Sequence, residues 1–173
     1  YLRINLDNNE ISIHPITEEM KKLWVGGKGF DLWLTFQEIT KDTKWDSNEN
    51  PICFSSGPLG GTTSFPGSGK TLVTAVSPIT DNIIDCNVGG YFGPYLKFAG
   101  FDALLVTGKS NDEVIVLIDS VNNTISIERS PLEETNSHLI AEELTEMYAD
   151  NEIDMRNIAV VSSGQAAEHS RMG

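Results

Sequence analysis

Ser64-Phe65-Pro66-Gly67-Ser68-Gly69-Lys70-Thr71-Leu72-Val73-Thr74-Ala75-Val76 admits two readings that lead to different folds. Its first eight residues look like a phosphate-binding P-loop whose opening glycine has become serine. The apolar run Val114 to Leu117, ending at Asp119, would then pose as the accompanying acidic strand. A P-loop must run straight into a helix, because phosphate sits on the free N–H groups at that helix's start. Leu72 to Val76 instead alternates, is rich in β-branched residues and is closed by Ser77-Pro78, which is the pattern of a strand. The nucleotide-binding reading therefore fails. Lys70 remains available to a phosphate, reaching from the start of a strand rather than from a P-loop.

The flanking sequence fits a strand-rich chain. Residues 2–6 and 10–14 alternate around Asp7-Asn8-Asn9 and predict a β-hairpin. Thr17 with Glu18 and Glu19 predicts a helix start, and the helix carries Met20, Leu23 and Trp24. Gly26-Gly27-Lys28-Gly29 interrupts it. A second helix follows with Phe30, Leu32, Trp33, Leu34, Phe36 and Ile39 on or near one stripe. The joint's glycines suit an anion, although a helix–helix connection is their commoner use. Residues 41–50 read as a solvated loop, since their acids lack the EF-hand pattern. Ile52-Cys53-Phe54 predicts a short buried strand.

Downstream, Ile83-Ile84 predicts a short strand leading into Asn87-Val88-Gly89-Gly90. Tyr91, Tyr95 and Phe98 then recur at one face of a short helix, with Asn87 at or just before its N-cap and Gly100 ending it. Gly89 and Gly90 let a backbone approach a ligand closely at a helix start that favours anions. The plain alternative is a loop-to-helix junction whose glycines serve packing. Strands are predicted at Ala103 to Thr107, Val114 to Asp119 and Thr124 to Glu128, the last two forming a hairpin around Val121-Asn122-Asn123. An amphipathic helix from His138 to Tyr148 carries Leu139, Ile140, Leu144 and Met147, and Ile158 to Val161 predicts a last strand. The fold class is α+β, with a strand-rich mixed or antiparallel sheet and a few helices.

A length of 173 residues suits one domain. The formal net charge of -13 argues against nucleic acid and anionic membrane surfaces, and no apolar run reaches transmembrane length. Cys53 and Cys86 are too few for a disulfide scaffold or a four-thiolate iron–sulfur cluster, and His14, His138 and His169 show no metal-ligand spacing. A cytoplasmic location is the default.

Gly57-Pro58-Leu59, the Gly67 to Lys70 loop, Ser77-Pro78 and the run Asn87 to Gly100 together resemble the N-terminal domain of the tungsten-containing aldehyde:ferredoxin oxidoreductases. The resemblance extends to the opening hairpin, the Gly26–Gly29 joint, Leu96 to Asp102, Gly108-Lys109 and Gly164-Gln165-Ala166-Ala167-Glu168. It implies a single base-plate domain over Tyr1–Gly173, on which a bis-pyranopterin tungsten (or molybdenum) cofactor lies, its two phosphates bridged by magnesium. Asn87 would supply a magnesium ligand through its backbone carbonyl, Gly89 would lie against the pterin, and Gly90 would allow the close approach. Lys70 falls where the family usually has a phosphate-binding arginine, a point charge in place of a planar fork. The family's 4Fe-4S cysteines and proton-transfer residues are expected beyond Gly173, so no catalytic residue is expected here.

The implied enzyme oxidises an aldehyde to a carboxylic acid, or reduces a related carbonyl or aromatic thioester. Its partners would be the remainder of the catalytic subunit or a complementary subunit, and a ferredoxin or other iron–sulfur carrier. The alternative is a non-catalytic interaction module that keeps this fold without the cofactor.

Overall fold

The computed structural model describes residues 1–132 and 136–170. The chain divides into two compact units, Tyr1–Ser130 and Pro131–Gly173. The strands of the first unit are β1 (Leu2–Asn5), β2 (Glu10–Ile13), β3 (Ile52–Ser55), β4 (Thr71–Val76), β5 (Ile83–Val88) and β6 (Ala103–Thr107). They form a six-stranded sheet in the order β2-β1-β6-β3-β4-β5. β1 and β6 run parallel, and the other neighbours antiparallel, so the sheet is mixed as expected. A separate hairpin pairs β7 (Val114–Asp119) with β8 (Thr124–Arg129).

Period-two alternation gives the sheet two apolar faces. On one, Cys53, Ala103 and Leu105 meet Met20 of α1 (Glu18–Trp24) and Phe30 and Leu34 of α2 (Lys28–Glu38). On the other, Leu2, Ile4 and Leu104 meet Leu96 of α3 (Phe92–Phe98), and Val116, Ile118, Ile125 and Ile127 of the β7–β8 hairpin pack against them. Each fully buried aliphatic side chain contributes about 1.5–3 kcal/mol. The unit is three layers deep: helices, sheet, then hairpin with α3.

Local signals explain the helix ends. Thr17 caps α1, its Oγ1 accepting the Met20 N–H at 3.1 Å. The chain then reverses through Val25, Gly26 and Gly27, all at positive φ. Only glycine tolerates the next contact, since a Cβ on Gly29 would lie 2.0 Å from the Trp24 carbonyl oxygen.

Four expectations need correction. α2 buries Phe30, Asp31, Leu34 and Thr35, whereas Phe36 is 65% exposed. Two polar residues, Asp31 and Thr35, thus share its core face with Phe30 and Leu34. Asn87 is no helix cap: it lies inside β5, opposite Leu72, because the six-residue β4 offers pairing partners up to Val88. α3 starts only at Phe92, and its buried side is Gly93, Pro94 and Leu96, leaving Tyr91 and Phe98 70% and 64% exposed. Ile158 to Val161 forms no strand. β-branched residues make a strand only beside a partner, and the second unit's described elements are helices.

That unit contains α4 (Ser137–Tyr148), α5 (Glu152–Met155) and α6 (Ala166–His169). Asn136 caps α4 by accepting the His138 N–H at 3.0 Å, and Leu144 is its buried residue. Among the described residues no helix is long and apolar enough to cross a membrane.

Candidate anion site at the glycine-rich end of the sheet

Ser55 pairs with both Leu72 and Ala103, and Thr71 pairs with Val88. β3 and β5 therefore end where β4 and β6 begin. The connection from Gly57 to Lys70 and the turn at Gly89-Gly90 consequently leave from one end of the sheet. The α1–α2 joint closes on the same end, where a Cβ on Gly27 would stand 3.4 Å from both Gly57 Cα and Leu72 Cδ1.

Strand pleating sorts the side chains by face. Thr74 Oγ1 donates to Asp31 Oδ2 of α2 at 3.2 Å, so the even positions of β4 face the helix layer. Leu72 lies on that side against Gly27, and Lys70 follows two residues back. Across the ladder, Asp85 faces Thr74 and Asn87 faces Leu72. Lys70 and Gly89 are the next residues beyond the ladder, which ends at the Thr71–Val88 pair. A Cβ on Gly89 would sit 3.8 Å from Lys70 Nζ, so the lysine side chain crosses directly over that glycine. Gly90 turns away at φ +97, with nothing within 4 Å of where a Cβ would be. The structure thus brings Lys70, Asn87 and Gly89 onto one face, with Gly90 at its rim.

Position and charge together mark Lys70, since Lys22, Lys41 and Lys109 also make no salt bridge to a described residue, but Lys70 is the one placed over Gly89. The chain has 25 acidic and 12 basic residues, yet Lys70 makes no salt bridge to a described residue. Lys28, the first residue of α2, is engaged instead by Asp85 at 2.6 Å. An unpaired ammonium lying over bare main chain can receive a phosphate without displacing a carboxylate. Among the described residues, no group of three or more His, Cys, Asp or Glu could hold a metal ion. The loop before Lys70 closes on itself, with the Gly61 N–H donating to Ser68 O at 3.0 Å, and runs into β4 rather than a helix. That removes the P-loop reading.

Thr71 fixes α3 beside Lys70, its Oγ1 accepting the buried Gly93 N–H at 2.8 Å. Thr71→Val is expected to cost about 1–3 kcal/mol by leaving that N–H unpaired. Urea unfolding checks it, and an unchanged midpoint would show that the contact is dispensable.

Asp31 escaped the sequence reading, because between Phe30 and Leu32 it looks like the polar side of an apolar helix. It is fully buried and accepts hydrogen bonds from Cys53 Sγ at 3.1 Å and from Thr74. Burial pushes its carboxyl up to about 6, while the surrounding Ser55, Cys53 and Thr74 side chains pull the other way. The Cys53 thiol is pushed well up by its own burial and then by Asp31, so it is inert at neutral pH. The one sequence signal was position: Asp31 lies three residues before Leu34, on the helix's inner side.

Residues 1–172 match the family described as aldehyde ferredoxin oxidoreductase, N-terminal domain. The tungsten-containing aldehyde ferredoxin oxidoreductase of Pyrococcus horikoshii is 35% identical over 168 residues, covering 97% of this chain and 26% of that protein. Its counterpart from Thermococcus kodakarensis is 34% identical over 171 residues, covering 98% and 27%. This chain thus spans about a quarter of the length of these relatives. Among solved structures, the active site complex BamBC of benzoyl coenzyme A reductase with 1,5 dienoyl-CoA contains a similar fold, with TM-score 0.75 and 27% identity over 85% of this chain and 23% of that one. Matched from residue 1 to residue 172, the chain belongs to the aldehyde ferredoxin oxidoreductase N-terminal domain family.

Proposed function

We propose that Tyr1–Gly173 is the segment that holds the phosphate end of a bis-pyranopterin tungsten or molybdenum cofactor in an aldehyde:ferredoxin oxidoreductase-type enzyme. The observation that carries this reading is the Lys70 ammonium, unpaired and lying over Gly89 in an otherwise acidic chain. The residues present fit the group. Lys70 would neutralise a phosphate, Asn87 would offer its backbone carbonyl to a bridging magnesium, and Gly89 and Gly90 would let the cofactor lie against the main chain. The tungsten named in the relatives supports the choice of metal.

The bound group would supply the oxidation of an aldehyde to a carboxylic acid, with electrons leaving through a 4Fe-4S cluster held outside this segment. This chain's own residues bind, orient and compensate charge. The remaining site residues would come from the rest of the catalytic subunit or a complementary subunit, and ferredoxin would take the electrons.

The test is tungsten, molybdenum and released pterin measured per polypeptide in the natural assembly. Lys70→Met is expected to lower all of them roughly tenfold, the loss of one charge-assisted contact. Lys70→Arg should restore them. A stable wild-type assembly without metal or pterin overturns the proposal and identifies a non-catalytic module of the same fold.

A further inference from the structure

We propose that Lys28 is a second phosphate-binding cation of this site, stored on Asp85 until a phosphate-bearing ligand takes it. The inference rests on the cofactor reading of Lys70. It starts from placement. Lys28 opens α2 directly after Gly26 and Gly27, whose φ values of +147 and +53 bring the helix start onto the end of the sheet. Its Nζ lies 2.6 Å from Asp85 Oδ1. Asp85 and Asn87 are two residues apart on β5 and share a face, about 7 Å from one another along the strand. Lys70 lies over Gly89, one further step of the same size. Two ammonium groups therefore bracket Asn87, one unpaired and one held by a carboxylate.

Charge balance leaves room for both. Two phosphomonoesters carry about -3 to -4 at neutral pH. One magnesium ion and Lys70 together supply three positive charges, which leaves an excess of up to about one negative charge. Lys28, held on Asp85, is a further cation on that face. Its present partnership is exchangeable: the Lys28 side chain is 56% exposed, and ion pairs at such surfaces are weak and screened. A phosphate offers it a stronger charge-assisted contact.

Lys28→Met and Asp85→Asn separate this role from a structural one. Both break the ion pair, but only the first removes the cation. In the natural full-length assembly, dialysed against a magnesium chelator, Lys28→Met is expected to retain roughly tenfold less pterin than wild type. Asp85→Asn is expected to retain as much or more, since Lys28 is freed and a repelling carboxylate is gone. Wild-type retention in Lys28→Met, or equal losses in both variants, overturns the inference and leaves Lys70 untouched. Absence of pterin from the wild-type assembly overturns the cofactor reading and this inference with it.

Discussion

Asp31→Asn is expected to stabilise the fold at about pH 8 by about 3 kcal/mol, although it alters a hydrogen-bonded residue of the core. The carboxyl is raised from 3.8 to about 6 in the folded chain, first by burial, with a smaller push from Asp85. Each unit of difference corresponds to about 1.4 kcal/mol. The sign follows from which state holds the proton. A folded-state value above the unfolded one means the fold prefers the protonated acid. Its stabilising contribution is therefore complete below 3.8 and is lost as pH rises through about 6. Near pH 8 the fold carries the full cost of a buried carboxylate with no cation against it. Asparagine keeps the shape and is neutral throughout; its amide oxygen accepts from Cys53, and the Thr74 hydroxyl, which both donates and accepts, can turn to receive the amide N–H that replaces the second oxygen. Asp31→Ala, by contrast, leaves a cavity and two unpaired donors, and should destabilise at every pH. Urea unfolding of both proteins between about pH 5 and pH 8 reads the effect. The gap between wild type and Asp31→Asn should open as pH rises; a constant gap would mean that Asp31 does not titrate in this range.

Asp31 also shows where the sequence stops being legible. The hairpin, the Thr17 cap, the glycine joint and the strand after Lys70 were each readable because local chemistry determines them: turn residues, a hydroxyl before two acids, alternation closed by proline. The inward side of α2 was not, because Asp31 and Thr35 face the sheet only once β3 and β4 supply Cys53 and Thr74 to meet Asp31. Propensity expects the opposite arrangement. Asn87 failed for a related reason. Asn-x-Gly-Gly reads as a helix approach, but the ladder with β4 carries the chain as a strand to Val88, and no local signal announces a pairing partner. The strand pair still places Lys70, Asn87 and Gly89 on one face, as a helix start would have placed them beside one another. Lys28 was visible within its joint, but its partner Asp85 lies 57 residues away and could be found only in the folded chain.

Gly29→Ala sets two effects of known size against each other. Gly29 is the second residue of α2, and replacing glycine by alanine in an exposed helix stabilises by about 1 kcal/mol. Here the added methyl would lie 2.0 Å from Trp24 O and 2.9 Å from Trp24 C, both backbone atoms that no rotamer change can move. Sliding α1 away is resisted too, because Trp24 stacks on Trp33 of α2 with ring centroids 5.3 Å apart, and Met20 is held in the core beneath. Overpacking against backbone commonly costs about 1–3 kcal/mol and sometimes more, so the clash wins and a net loss of about 2 kcal/mol is expected. The displacement should also reach the anion site, since Lys28 and Gly27 precede the clash and Gly27 seats the helix start on Leu72 and Gly57. Gly29→Ala is therefore expected to lower both the unfolding midpoint and the pterin content of the assembly, although Gly29 itself need touch no ligand. Near-ultraviolet circular dichroism of the stacked tryptophans would report the shift directly. A variant as stable as wild type, with an unchanged tryptophan signal, would mean that the joint can open and that helix propensity governs it after all.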